Sequence, residues 1–372
     1  MTKDVNTKRL VQQFIAFAKI ASPSRQEGLF ASYLTKELAS LGFQTETDWA
    51  GKTINGNTGN LIATLPATGP GDPFMFCCHM DTVKPCENIE PLVNNNIIHT
   101  DGTTILSGDD KGGIAAILEG IRQVQEQNIP HGLIQVVFTI GEEIGMYGSK
   151  NLDYNKIKAK KAFILDAEGP LGTIVIQGPA KDVITAIIHG KTAHAGLYPE
   201  QGISAIQVGA QAISKMKLLR IDAETTANLG TISGGEATNI VADKLEIVAE
   251  ARSLSKEKLD AQSQHMKGCF ENAAHDAGAK ADVKIERSYA PFHLAPDTPV
   301  VLQAYAAMKR IGLEPKLAST NGGSDCNIFN AKGIAAVDLS IGMQDVHTKE
   351  ESLHISDLET AARLIVAIIE SN

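Results

Sequence analysis

The 372-residue sequence holds only five cysteines, Cys77, Cys78, Cys86, Cys269 and Cys326. Their odd number and irregular spacing exclude a disulfide framework and a Cys-x-x-Cys zinc site, and imply reduced thiols in a cytoplasmic protein. Long apolar runs are missing too: none approaches the ~20 residues of a membrane span. The opening Met1-Thr2-Lys3-Asp4-Val5-Asn6 has no basic segment followed by an apolar core, so no secretory leader is expected. Positive charge is scarce, with 34 Lys and Arg against 43 Asp and Glu and a net charge of −9. A bulk electrostatic grip on nucleic acid or on anionic membranes is therefore not expected. There is no internal repeat and no low-complexity tract.

What is present is ordinary for a folded protein, 43% hydrophobic and 21% charged. One core rarely grows past roughly 250–300 residues, so more than one domain is expected. Two amphipathic helices occupy the first 45 residues, the second opening on a capping-box pattern of Ser24 and Glu27. Apolar runs at 60–65, 73–78, 133–139 and 162–165 then alternate with helical segments, including a long helix from Lys111 to about Gln127. That pattern predicts a mostly parallel α/β sheet covered by helices on both faces. Residues 178–290 read as β-α-β-β-α-β, an inserted ferredoxin-like α+β domain. The expected organisation is a catalytic domain from 1–177 and 291–372 interrupted by this insertion. Its last helix is expected to be capped by Ser356 with Glu359.

Five short motifs carry chemistry. His79-Met80-Asp81 follows the apolar run 73–78, and a carboxylate two residues on can take the second imidazole N–H and fix the tautomer. Gly108-Asp109-Asp110-Lys111-Gly112-Gly113 leads into a helix but lacks the phosphate-loop Gly-Lys-Ser/Thr ending, and its two aspartates would repel a phosphate. Gly141-Glu142-Glu143-Ile144-Gly145 pairs two carboxylates at a strand end, one able to bind metal and the other to move a proton. Asp166 ends the strand after Lys161, and His347 lies in the loop beyond the strand 334–340. Singly, each also reads as a polar turn, a cap or a solvated acidic pair. Together, His79, Glu143, Asp166 and His347 all lie at or beyond strand carboxyl ends, which converge on one edge of a parallel sheet. Two divalent ions would bring +4; Asp109, Glu143 and Asp166 offset three charges and a hydroxide the fourth.

In these motifs, in this order, the sequence resembles the di-zinc peptidase family that includes peptidase T, carboxypeptidase G, acetylornithine deacetylase and succinyl-diaminopimelate desuccinylase, most closely its peptidase T-like branch. The resemblance spans essentially the whole chain. It implies that Asp109 bridges two metals and precedes a cis peptide bond, that His79 and Asp166 complete one site, and that Glu143 and His347 complete the other. It further implies Glu142 as general base and acid, with Asp81 orienting His79. In the inserted domain, Gly190-Lys191-Thr192-Ala193-His194-Ala195-Gly196 matches the segment whose histidine stabilises the tetrahedral intermediate, often from a partner subunit. Asn239, Arg252 and the glycine-rich loop containing Gly323 match substrate-contacting positions. Asn321 departs from the pattern, standing where peptidase T relatives carry a basic residue.

The expectation is a metallopeptidase trimming short peptides, an aminopeptidase of the tripeptidase kind, with two divalent ions. Zinc suits the imidazole and carboxylate set, with cobalt or manganese as alternatives. A homodimer through the inserted lid is expected. An N-acyl amino acid deacylase or a carboxypeptidase would use the same metal chemistry, and a metal- or peptide-binding protein without turnover is the reading from another class.

Overall fold

A computed structural model describes residues 5–372. The chain divides into two compact units. One comprises the residues through Ile176, His293–Ser319 and Ser324–Asn372; the other comprises Gln177–Phe292 and Thr320–Gly323.

The first unit is built on a twisted sheet whose centre is parallel. Four adjacent strands run the same way, in the order Ile134–Thr139, Phe74–His79, Lys161–Ala167 and Ala335–Ser340. Antiparallel neighbours flank them: Leu61–Leu65 and then Gln44–Thr47 on one side, Thr173–Gly178 on the other. Ile134–Thr139 and Phe74–His79 are buried at every residue, as strands packed on both faces must be. On one face Cys78 lies under the helix Gly108–Glu126, close enough that a methyl group on Gly113 would sit 2.7 Å from its Sγ. The helices Thr7–Ala18 and Ile355–Glu370 share its core with Phe74, Phe76, Phe138 and Phe163. The sheet with flanking helices is the α/β architecture expected from the alternating pattern.

Local details differ from the sequence reading. Ser24 does not cap the second helix, Gly28–Ser40; its hydroxyl donates to the Asp81 carboxylate at 2.6 Å, and Glu27 turns inward to accept from the Arg25 and Gly141 amides. Carboxylates and hydroxyls bond whichever amides tertiary packing presents, and here these belong to another loop. Likewise the last helix starts at Ile355, two residues too early for Ser356 to cap it, and that hydroxyl meets Asp357 instead. Leu61–Leu65 joins the sheet antiparallel rather than parallel. A small three-stranded sheet of Leu92–Asn94, Ile97–His99 and Leu353–His354 has no signal in the sequence, its strands being too short to show a period.

The second unit is a five-stranded antiparallel sheet ordered Leu219–Arg220, Thr225–Gly234, Lys244–Ser253, Ala180–His189 and Lys280–Tyr289. Here burial alternates strictly along Ala180–His189, the mark of a sheet covered on one face only. The covering helices are Ala205–Ser214 and Lys256–Asp276, each capped by a serine side chain, Ser204 and Ser255. Among the described residues no helix is long and apolar enough to cross a membrane.

Candidate metal centre

The four parallel strands deliver four side chains to one edge. His79 is the last residue of its strand, Asp166 the penultimate of its own, and Glu143 and His347 follow theirs by short loops. Asp109 arrives from the opposite direction, at the start of the long helix. Its backbone (φ −81°, ψ 107°) is not helical, and neither is that of Asp110 (φ −116°, ψ 24°), so the first turn is kinked open there. The Asp109–Asp110 peptide is cis.

The Asp109 carboxylate is divided between two groups. Its Oδ1 lies 2.8 Å from His79 Nε2, while its Oδ2 lies 3.1 Å from His347 Nε2. His79 Nε2 also faces Asp166 Oδ1 at 3.6 Å, and His347 Nε2 faces Glu143 Oε1 at 3.0 Å. Two clusters result, His79–Asp109–Asp166 and Asp109–Glu143–His347, each with its ligand atoms within 4.8 Å of one another. They share one residue, Asp109, and one oxygen of it each.

Electrostatics favour cations there. Burial, and then the charge of a neighbouring aspartate, holds the Asp110, Glu142 and Asp166 carboxyls well above the usual carboxylate range. Acids that raise one another mark a site short of positive charge, and divalent ions reverse that balance. His347, bonded to Asp109 and Glu143, is pushed up to about 10. The donor set of imidazole nitrogen and carboxylate oxygen, with no thiolate, suits zinc, cobalt or manganese.

Residues 75–371 match the model of Peptidase family M20/M25/M40. The chain belongs to that family. A solved structure described as aminopeptidase PepT from Bacillus cereus is 44% identical, with a TM-score of 0.90 and coverage of 99% of both chains. A tripeptidase structure from Staphylococcus aureus is 40% identical, with a TM-score of 0.94 and coverage of 98% of both chains. An uncharacterized protein, YqjE, from Bacillus subtilis is 44% identical over 98% of this chain and 99% of its own length. The chain is thus a peptidase of this family, similar over nearly its whole length to solved structures of an aminopeptidase PepT and of a tripeptidase.

In this M20-family chain the clustered residues rest on a further set of carboxylates, most of which the sequence did not single out. His79 Nδ1 donates to the backbone oxygen of Asp81 at 2.7 Å, whereas the Asp81 Oδ1 is 3.7 Å away. Orientation of His79 therefore comes from the main chain of Asp81, not from its carboxylate as expected, because the chain turns after His79. The Asp81 carboxylate instead accepts the amides of Glu142 (3.0 Å) and Glu143 (3.3 Å). Gly141, at φ +57°, makes the turn that also lets its own amide reach Glu27 at 3.1 Å. Three consecutive amides of the Glu142 loop are thus held by two buried acids. Asp325 accepts the hydroxyls of Thr139 (2.6 Å) and Ser149 (2.5 Å), and Asp338 accepts the Asp166 amide at 3.0 Å and the Ser324 hydroxyl at 2.7 Å.

The remaining expected residues belong to the second unit. His194 is exposed on a loop bridged to Ile240, and its Nδ1 accepts the amides of Gly196 (3.2 Å) and Leu197 (3.1 Å). With Nδ1 accepting, the neutral ring carries its proton on Nε2. Asn239 is exposed, its backbone oxygen bonded to the Ala195 amide at 2.9 Å. Arg252 pairs through Nε with Glu250 at 2.8 Å, and Lys181 reaches the same carboxylate at 2.6 Å. Gly323 lies against Tyr289; a methyl group there would come within 2.3 Å of the phenol ring.

Proposed function

We propose that this chain is a two-metal aminopeptidase acting on short peptides, with zinc as its working ion and cobalt or manganese as substitutes. The observation that carries the proposal is the divided Asp109 carboxylate, one oxygen toward His79 and the other toward His347. His79, Asp109 and Asp166 would hold one ion and Asp109, Glu143 and His347 the second. When bound, such a pair lowers the pKa of a water and polarises the scissile carbonyl.

Glu142 is the general base and then the general acid in this reading. Its side chain is not among the clustered ligand atoms, and its amide shares the Asp81 carboxylate with that of Glu143, which supports a carboxyl that stays near the metals without binding them. It takes a proton from the attacking water and passes it to the leaving amine, so the peptide carbon gains an oxygen as the C–N bond breaks. His194, with its Nε2 proton, is suited to donate to the oxyanion of the tetrahedral intermediate. Arg252 would turn from Glu250 to grip a substrate carboxylate, and Lys181 would keep Glu250 compensated when it does. Asn239 and Gly323 would line the substrate path. The second unit would act as the closing lid and the dimer contact, in a cytoplasmic enzyme.

The aminopeptidase and tripeptidase relatives favour trimming from the free amino end. Metal-loaded protein should release the first residue of free tripeptides and leave N-acetylated amino acids and amino-blocked peptides intact. Release of acetate or of C-terminal residues instead would assign the chain to the deacylases or carboxypeptidases. No turnover of any of these would leave a binding protein.

A further inference from the structure

Four of the five clustered residues are tied down through their own backbone N–H groups, each by a different buried carboxylate. The His79 amide donates to Asp110 (3.2 Å), Asp109 to Glu351 (3.0 Å), Glu143 to Asp81 (3.3 Å) and Asp166 to Asp338 (3.0 Å). Such bonds fix where a side chain begins without consuming its ligand atoms.

Glu351 differs from the other three in what it joins. Its Oε2 accepts the amides of Leu106 (2.7 Å) and Ser107 (2.9 Å), and its Oε1 accepts that of Asp109. All three donors belong to the loop that carries Asp109. Glu351 itself sits four residues after His347, in the same short turn: its amide bonds to the Thr348 oxygen, which in turn follows His347. Its side chain is almost wholly buried. Ser107 takes a left-handed backbone (φ +66°) that aims successive amides inward, and Gly108 leaves room for the carboxylate, since a methyl group there would stand 3.0 Å from Oε1.

We propose that Glu351 is a positioning residue that locks the Asp109 loop to the His347 loop and so sets the geometry of the second metal position. Asp109 and His347 lie more than two hundred residues apart in sequence, and this carboxylate bonds the two loops across that separation. It touches neither metal nor substrate. The inference rests on the two-metal reading, and its consequence is selective: the ion held by Asp109, Glu143 and His347 loses affinity first, while the one held by His79, Asp109 and Asp166 keeps most of its own.

Glu351→Gln tests this, because the amide can offer one acceptor oxygen but must turn an NH2 toward backbone donors. Metal binding to the apoprotein is read by competition with a chromophoric chelator, using zinc alone, with the thermal midpoint followed in parallel. Wild type should bind two ions; the variant should show one site weakened by roughly 10–100-fold, the usual effect of losing a partner behind a ligand. Gly108→Ala, which nudges Oε1 rather than removing it, should weaken the same site by less and serves if Glu351→Gln does not fold. If either folded variant binds both ions as tightly as wild type and shows only a lower melting temperature, Glu351 is a structural tie and the inference fails. A wild type that binds fewer than two ions would instead defeat the two-metal reading itself.

Discussion

His79 donates its Nδ1 proton to the backbone oxygen of Asp81, 2.7 Å away, and this leaves Nε2 to face Asp109 at 2.8 Å, where a bound cation would take the place of its proton. The Asp81 carboxylate is then available for the Glu142 and Glu143 amides. The two halves of Asp81 therefore serve different partners. Asp81→Asn keeps the carbonyl, so zinc content should be retained; it presents an NH2 to backbone donors, so kcat should fall by about 10–100-fold. Analysis of metal content beside steady-state kinetics checks this, and loss of zinc with the activity would return the orienting role to the carboxylate.

Glu142→Gln should bind both ions and lose turnover by about 10²–10⁴-fold, the range for removal of a general acid–base group. Its thermal midpoint should stay near that of wild type. A residual rate within tenfold of wild type would assign the proton transfer to another group.

The metal-free protein should show a stability that declines as pH rises, and Glu27 contributes to it. Burial, followed by the charge of Asp81, pushes the Glu27 carboxyl up to about 7. A group whose pKa is raised on folding stabilises the fold fully below its unfolded value, near 4.5, and that contribution is lost as pH climbs through about 7. Glu27→Gln should therefore flatten the fall in melting temperature between pH 5 and pH 8. Melting curves of chelator-treated wild type and variant at both pH values measure it; equal slopes would exclude Glu27 as the titrating group.

Gly323→Ala should destabilise the protein by about 1–3 kcal/mol, since the added methyl group must displace the Tyr289 ring. Tyr289→Phe in the same background relieves only the contact with the hydroxyl, so recovery should be partial. Denaturant unfolding gives both numbers.

The parallel centre of the sheet was readable because strands buried on both faces are written as continuous apolar runs, and residues 73–78 and 133–139 are such runs. The clustered residues His79, Glu143, Asp166 and His347 were readable for a related reason: each stands at or beyond the end of such a run, and strand ends of a parallel sheet meet. Asp325, Asp338, Glu351 and Glu27 were not, because nothing local distinguishes an acid that will be buried from one that will be solvated. Glu351 follows Lys349 and Glu350 in what reads as a charged surface turn. Ser24 and Glu27 were misread for the same reason: the spacing of a helix cap is also the spacing of two residues that reach into a neighbouring loop. Only the partners decide, and these come from far along the chain.

In the proposed site Asp109 shares its two oxygens between two ions. Diffraction from zinc-loaded crystals, with anomalous data above and below the zinc edge, tests it directly. Two anomalous peaks about 3.5–4 Å apart with Asp109 bridging them are expected. A single peak, or two that do not share Asp109, would contradict it.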